Sequence, residues 1–314
     1  MAKANHMRTW ATLAAILVAA LLAAPVVTAN ASRGDVSSIA FTSDRGGNKD
    51  GSFDNIYRMN ADGRGPARRL TDLLGNNVMP TWSPDGSTIV YVRSGATGLP
   101  AIFQMNADGS DEAALVSDLS FNTDPAWFPS GHRIVFSRNE DIYATTLGTA
   151  AKQTRLTRDA GADRQPAVSP DGSRIAFVSD RDGDFDVYVM KAAPESSTNR
   201  PVKLTRNTVP DFAPDWSPTG KMIAFSTGDV GAREIYAMKA VPQNEDTNPP
   251  INLTKDAADD SDPDWSPDGK QIAFTSDRSG DDEIWRMEAD GSAPDNLTNS
   301  PASEDLQPDW QPLP

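Results

Sequence analysis

Cysteine is absent from the 314-residue sequence, and histidine occurs only twice, as His6 and His132. Without cysteine the chain can form no disulfide, no thiolate metal site and no cysteine nucleophile. Two histidines also offer little for histidine-based catalysis, because a catalytic histidine must be held in place by partner residues. His132 follows Gly131 at a predicted turn, where we expect it to be solvated. These absences favour a non-catalytic protein.

Basic residues are scarce as well: 29 lysines and arginines stand against 44 aspartates and glutamates, which gives a formal net charge of −15. Such a charge repels polyanions, so we expect neither nucleic acid nor an anionic membrane surface as a partner. Most of the acidic residues are aspartate, and there are 22 glycines and 24 prolines. These residues favour turns over helix interiors, which excludes a helical bundle or a coiled coil.

Only one long apolar run is present, from Ala11 to Val27. It follows Lys3 and Arg8 and precedes the small residues Ala29-Asn30-Ala31, an arrangement typical of a secretory signal peptide. We therefore expect residues 1–31 to be a signal peptide, cleaved to leave no transmembrane segment, and the protein to be periplasmic or secreted. The alternative is an uncleaved anchor, for which this run is at the short limit of the roughly 17–25 residues that span a bilayer.

A phrase of the form Pro-x-Trp-Ser-Pro-Asp-Gly occurs six times, with its last copy truncated. The third residue of the phrase recurs at intervals of 41 to 49 residues, as Trp82, Trp127, Val168, Trp216, Trp265 and Trp310. Between copies come an Ile-Ala-Phe segment, then a segment such as Ile284-Trp285-Arg286-Met287, then Leu-Thr. Each unit thus offers four short strands, which is typical of a β-propeller blade. The tryptophans could form a stacking platform for a ligand, but their recurrence favours packing between blades.

The two ends of the chain predict a closed ring. The first unit has three strands, at Ile39–Ser43, Asn55–Asn60 and Arg68–Thr71, but no phrase before them. The C-terminus supplies an additional first strand, Gln307–Gln311, with nothing after it. Joining them completes one blade and removes exposed sheet edges. We predict an all-β fold over residues 32–314: a six-bladed β-propeller with four antiparallel strands per blade, the first blade being completed by the C-terminal strand.

The phrase Pro-x-Trp-Ser-Pro-Asp-Gly, followed by Ile-Ala-Phe-x-Ser-Asp-Arg and Ile-Tyr-x-Met, resembles the repeat of the TolB-type six-bladed propeller, a family related to WD-type repeats. The resemblance covers about Val36 to Pro314. It implies periplasmic protein binding in the cell envelope, with an envelope protein or peptide as the partner. The family carries an N-terminal α/β domain before its propeller, and this chain is expected to lack it, which leaves membership of a Tol–Pal system open.

Three residues before each recurring proline stands an oxygen-bearing side chain. In a propeller these residues are expected to ring one mouth of the central channel, close to the arginines of the loops between the second and third strands. The predicted partner-binding residues are Asn77, Asn122, Asp163, Asp211, Asp260, Asp305, Arg45, Arg181 and Arg278. The alternative role is structural, with each arginine pairing with a carboxylate to join neighbouring blades. The two roles are compatible.

Two further possibilities concern the carboxylates. The segment Asp180-Arg-Asp182-Gly183-Asp184-Phe-Asp186 resembles a calcium loop, with a weaker copy at Asn48–Asp54, although Ser-Asp-Arg-x-Gly is also the ordinary turn of this repeat. No other cofactor is expected. Pairs of acids could also support glycosidase chemistry, so the alternative function is a carbohydrate-active enzyme or sugar-binding protein that uses carboxylates in the central channel.

Overall fold

Strands and turns make up the part of the chain that the structure, a computed structural model, describes: residues 37–46, 53–72, 75–95, 98–148, 152–241, 249–301 and 303–313. The predicted signal peptide lies outside these residues. None of the described segments forms a helix long and apolar enough to cross a bilayer. Within these ranges twenty-four strands form six four-stranded antiparallel sheets, which are the six blades of the predicted propeller.

The strands follow the sequence repeat. The first twelve are β1 (Ser38–Ser43), β2 (Asn55–Asn60), β3 (Arg68–Arg69), β4 (Asn76–Trp82), β5 (Thr88–Ser94), β6 (Ala101–Asn106), β7 (Ala113–Val116), β8 (Asn122–Trp127), β9 (Arg133–Arg138), β10 (Asp141–Thr146), β11 (Thr154–Arg155) and β12 (Asp163–Val168). The others are β13 (Arg174–Ser179), β14 (Asp186–Lys191), β15 (Val202–Lys203), β16 (Asp211–Trp216), β17 (Met222–Thr227), β18 (Glu234–Lys239), β19 (Ile251–Asn252), β20 (Asp260–Trp265), β21 (Gln271–Ser276), β22 (Glu283–Glu288), β23 (Asp295–Asn296) and β24 (Asp305–Trp310).

Blade 1 is closed by the C-terminal strand, as the sequence predicts. Its order from the inside outwards is β24-β1-β2-β3, and blades 2 to 6 take the following strands four at a time. In the closing pair, Ile39 lies opposite Trp310 and Ser43 lies opposite Asp305. β24 begins two residues before the predicted strand, because the polar residue ahead of each Pro-x-Trp phrase already pairs with the neighbouring strand.

The core is divided into six apolar clusters among the described residues, and each cluster contains side chains of two neighbouring blades. The second strand of each blade has both faces covered, so its Ile-Ala-Phe segment is fully buried, as at Ile272, Ala273 and Phe274. Four of the five phrase tryptophans are at most 9% exposed, which confirms that they pack between blades. The exception, Trp127, is partly exposed.

Each innermost strand contains a bulge beside the recurring proline. The residue before the proline has φ between 46° and 56° in every blade, and the strand register shifts there. The bulge turns backbone N–H groups towards the preceding blade. Ala213 N donates to the Gln165 side-chain oxygen at 2.9 Å, and Gln165 N donates to the Ser137 hydroxyl at 3.2 Å. Neighbouring blades are therefore joined by hydrogen bonds as well as by apolar contacts.

The up-and-down strand order places the connections on two faces. We call the mouth face the one that carries the loops between the second and third strands and the links from one blade to the next. The exit face carries the Ser-Pro-Asp-Gly turns and the loops between the third and fourth strands. At each such turn the glycine has φ near +65° to +70°, as at Gly86 and Gly172, a conformation that glycine adopts without steric cost.

Candidate functional site

The six polar residues predicted to ring the channel mouth are buried. Five of them begin an innermost strand and Asn77 is the second residue of β4, and all six have no exposed surface. They therefore belong to the innermost strands and not to the exposed loops that lead into them. They pair with the last residues of the neighbouring strand, as Asp163 does with Ser179. In this geometry they can shape the mouth face but do not reach its surface.

The three predicted arginines bind these buried carboxylates. Arg181 donates to Asp163 at 2.9 Å and to the Ser179 hydroxyl at 2.9 Å, and its guanidinium lies 4.9 Å from the centre of the Tyr188 ring. Arg45 with Asp305 and Arg278 with Asp260 repeat the arrangement. Each of these pairs lies within one blade. Arg181 also pairs with Asp159 at 2.9 Å and Arg278 with Asp256 at 3.0 Å, and both of these carboxylates lie on the link from the preceding blade. The pairs anchor the mouth-face loop of a blade to its own innermost strand.

In the other three blades the buried polar residue at this position has a hydrogen-bond partner, but the two do not form an arginine–carboxylate pair. In blade 2 the Arg93 side chain donates to Asn77 at 2.8 Å. In blade 3 Asn122 donates to Asp118 at 3.2 Å. In blade 5 an oxygen of Asp211 accepts from Asn207 at 2.9 Å, and no arginine of the described residues is hydrogen-bonded to Asp211. Burial raises the pKa of Asp211 to about 6, and the hydrogen bonds only partly offset it.

The central channel is a narrow cavity of about 180 Å³. Three carboxylates on consecutive blades face it, and each accepts the backbone N–H of the next tryptophan: Asp215 from Trp265 at 2.9 Å, Asp264 from Trp310 at 2.7 Å and Asp309 from Trp82 at 2.8 Å. The cavity is smaller than the roughly 300–1,000 Å³ of typical ligand pockets, and its three carboxylates already accept hydrogen bonds from backbone N–H groups. This geometry gives no support to carbohydrate chemistry in the channel.

Burial governs the ionisation of the channel carboxylates, because protein surrounds them although they border the cavity. It raises the pKa of Asp215 and of Asp309 to about 7, and that of Asp264 well above its usual range. The sequence contained a signal for this cluster, since Pro-Asp-Trp occurs only in the last three copies of the phrase. It was missed because the residue between proline and tryptophan was treated as variable.

The segment Asp180–Asp186, which resembles a calcium loop in sequence, has its carboxylates directed to different protein groups. Asp180 accepts the Ala162 N–H at 2.7 Å, Asp182 accepts from the Tyr188 hydroxyl at 2.5 Å, and Asp186 pairs with Lys203 at 2.5 Å. Three of the four carboxylates of this segment are thus held by separate protein partners. Within the described residues no three acidic or histidine side chains are grouped to hold a metal ion. Most of the weaker copy, at Asn48–Asp54, lies outside those residues.

An apolar groove of about 630 Å³ opens on the mouth face beside the channel. Its aromatic wall is formed by Phe121, Phe185 and Phe212, and the rings of the last two are 6.0 Å apart. At the rim, the Arg164 guanidinium lies 5.6 Å from the Phe185 ring and pairs with Glu140 at 2.8 Å. The groove therefore combines an aromatic wall with a charged edge, as protein-binding surfaces commonly do.

Exposed apolar side chains are concentrated on the same face. Of the nine large apolar side chains that are exposed in the described part of the chain, five belong to mouth-face loops: Leu99, Leu119, Phe121, Val209 and Val230. Leu119 is 98% and Val230 80% exposed. Sequence reasoning missed them because they lie in loops that differ from blade to blade and have no place in the repeat.

Comparison with known proteins identifies the family. The family model of the TolB beta propeller domain matches residues 23–141 and 197–313. The chain belongs to this family. A TolB homolog of Chlorobium luteolum is 33% identical over 159 residues, which are 49% of this chain and 34% of the relative. The Tol-Pal system protein TolB of Bordetella pertussis is 29% identical over 146 residues, which are 45% of this chain and 32% of the relative.

Solved structures agree with the fold. TolB from Acinetobacter baumannii superimposes with a TM-score of 0.74 at 24% identity, covering 89% of this chain and 68% of the other. The TolB-like propeller predicted from the repeat is thereby confirmed. The chain spans only about a third of the length of the curated TolB relatives that it matches.

Proposed function

We propose that this TolB-like propeller is an exported, non-catalytic binding module of the cell envelope, periplasmic or secreted, that docks a protein or peptide on its mouth face. The observation that carries the proposal is the concentration of exposed apolar side chains around the channel mouth, next to an apolar groove. Soluble proteins commonly bind partners at an apolar groove on their surface, and exposed apolar side chains on the same face can enlarge the contact. The name of the Bordetella relative, which places that protein in the Tol-Pal system, is consistent with an envelope partner.

The geometry suggests how docking would work. A partner side chain that enters the groove would displace water from Phe121, Phe185 and Phe212, and apolar burial contributes roughly 25 cal/mol for each Å² removed from water. Leu119 and Val230 would extend the contact across neighbouring loops. The buried carboxylates and their arginines, such as Asp163 with Arg181, would act beneath the surface by fixing the loops in the conformation that the partner recognises.

Site-specific photocrosslinking in the native envelope tests the docking face. A photoreactive amino acid replaces Leu119 on the mouth face, or Val202, which is 43% exposed on the outer strand β15 of blade 4. We expect one defined envelope protein to be crosslinked from position 119 and not from position 202. Identical products from both positions would contradict a preferred docking face.

The partner recovered in this way can then be titrated against purified variants. Phe121→Ser removes an aromatic side chain of the groove, and Val241→Ser makes a comparable change on the exit face, where the side chain is equally exposed at 51%. We expect at least tenfold weaker binding for Phe121→Ser and unchanged binding for Val241→Ser. Equal affinities for both variants and the unaltered chain would refute docking at the groove.

A further inference from the structure

A crevice of about 510 Å³ lies between blades 2 and 3 on the exit face, opposite the proposed docking face. Trp127 forms one of its walls, and Thr88 and Gln104 of blade 2 face it. The Trp127 indole N–H donates to the Thr81 carbonyl at 3.2 Å, and Trp216 makes the equivalent bond to Ala167 at the same distance. Trp127 therefore has the same orientation as Trp216, yet it is the partly exposed one of the five phrase tryptophans, all of which lie in the described residues, and it borders a crevice.

At the equivalent place in two other blade pairs, an arginine of the same chain covers the tryptophan. Between blades 4 and 5, the Arg174 guanidinium lies 4.5 Å from the Trp216 ring and donates to the Ala240 carbonyl at 2.8 Å. Between blades 1 and 2, the Arg58 guanidinium lies 5.8 Å from the Trp82 ring and donates to the Ala107 carbonyl at 3.3 Å. These two positions show how the fold binds a guanidinium on the exit face.

A third arginine makes the same polar contact where blade 6 meets blade 1. Arg286 of β22 donates to the Ala61 carbonyl at 2.9 Å. Ala61 immediately follows β2, just as Ala107 follows β6 and Ala240 follows β18. The acceptor is thus a fixed element of the repeat: the first carbonyl after the third strand of a blade.

The junction between blades 2 and 3 retains the acceptor carbonyls but has no arginine at either of the two equivalent positions. Thr88 opens β5 as Arg174 opens β13, and Gln104 is the fourth residue of β6 as Arg58 is of β2. Both replacements are too short to cover the next tryptophan. Leu147, the residue after β10, still lines the crevice, and so does Gly131, the equivalent of Gly220, whose carbonyl accepts from Arg174 at 3.4 Å. No lysine or arginine is among the described residues that line it.

We propose that this crevice is a binding site for a guanidinium group, namely an arginine side chain of a partner protein. The ring of Trp127 supplies a cation–π surface and the Leu147 carbonyl an acceptor. Asp85 and Asp111 border the site and add negative charge. Hydrogen bonds from Ser83 and Ser87 lower the pKa of Asp85, which keeps this carboxylate ionised at neutral pH. The net charge of −15 also favours a basic ligand. The proposal does not depend on the docking face, since the two sites lie on opposite faces.

Indole N–H resonances of the tryptophan-labelled protein test the proposal directly. The probe is a blocked Gly-Arg-Gly peptide, compared with a citrulline peptide of the same shape and no charge. We expect a saturable shift of the Trp127 resonance, assigned with Trp127→Phe, and at least tenfold weaker binding of the citrulline peptide. The absence of a saturable shift, or an equal response to both peptides, would overturn the proposal.

Variants that fill or open the crevice make the test specific. Gln104→Arg should place a guanidinium over Trp127 as Arg58 does over Trp82, and should weaken binding of the arginine peptide at least tenfold. Thr208→Arg adds the same charge in a mouth-face loop and should leave binding unchanged. Arg58→Gln should create a second responding indole, that of Trp82. Wild-type binding by a folded Gln104→Arg protein would contradict the assignment, whether or not Arg58→Gln folds.

Discussion

At the scale of single residues, the channel carboxylates are held in an environment that disfavours their charge. Asp215, Asp264 and Asp309 each gain a backbone hydrogen bond, but the loss of hydration outweighs it. Asp264 also faces Asp309 and Asp215, whose charges would raise its pKa further. The other acids lining the channel, Asp124 and Asp262, have a raised pKa for the same main reason, which is burial.

These raised pKa values predict that the protein becomes less stable as the pH rises through the neutral range. In the unfolded chain an aspartate loses its proton near pH 4, whereas burial raises the pKa of Asp215 and Asp309 in the folded chain to about 7. Between these values the folded state holds more protons, so the free energy of unfolding falls as the pH increases. We expect the melting temperature to be lower at pH 8 than at pH 5.

The triple variant Asp215→Asn, Asp264→Asn, Asp309→Asn is the control for that pH effect. Asparagine keeps an oxygen that can accept the tryptophan N–H and has no charge to desolvate. The variant should melt at a higher temperature than the unaltered chain at pH 8, with a smaller difference between pH 5 and pH 8. Parallel melting curves for the two proteins across this range would show that the channel acids do not cause the effect.

At the scale of structural elements, a Leu-Thr pair ends the outer strand of five of the six blades with a side-chain contact that the repeat pattern did not reveal, whereas blade 2 has Leu115-Val116 at this place. The outer strands of five blades are only two residues long, and the predicted Arg68–Thr71 strand is reduced to Arg68–Arg69. The threonine that follows accepts the N–H of the first apolar residue of the third strand. This bond measures 2.9–3.0 Å at Thr71, Thr157, Thr205, Thr254 and Thr298.

Thr157→Val tests this contact. Thr157 is fully buried and its hydroxyl accepts the Ile142 N–H at 2.9 Å. Valine has nearly the same shape but leaves that N–H without an acceptor, which costs about 1–3 kcal/mol. Denaturant unfolding should show a loss of this size for Thr157→Val and almost none for Thr208→Val, a variant at an exposed loop position. A loss near zero for Thr157→Val would mean that the hydroxyl contributes nothing to the outer edge.

The sequence predicted the strands and turns better than it predicted which side chains are exposed. Proline, glycine and the Trp phrase constrain backbone geometry in every blade, so the strands and their turns could be derived from the repeat. The exposure of side chains could not be derived in this way. Asp163 is buried inside its own blade, where it pairs with Ser179, and Trp127 is partly exposed because Thr88 and Gln104 of the neighbouring blade are short. The apolar mouth-face residues, such as Leu119, lie in loops without periodicity and so gave no signal.

At the scale of the whole molecule, stability depends on closing a ring of blades. The apolar clusters lie between blades, so a blade with an open side would expose part of its core. The cluster between blades 6 and 1 contains Ile39 and Phe41 of β1 together with Ile284 of β22, and Trp310 of β24 packs among them. The last strand therefore completes one sheet and at the same time seals one interface.

Thermal melting of a C-terminally shortened protein tests closure most directly. Removing the last eight residues deletes most of β24, and the loss of Trp310 alone costs about 3–5 kcal/mol, equivalent to roughly 6–10 °C. Removing only Leu313, which is 54% exposed, and Pro314 is the matched control and should leave the melting temperature unchanged. The closed propeller predicts a large drop for the first variant only. Equal melting temperatures for the eight-residue deletion and the full chain would contradict it.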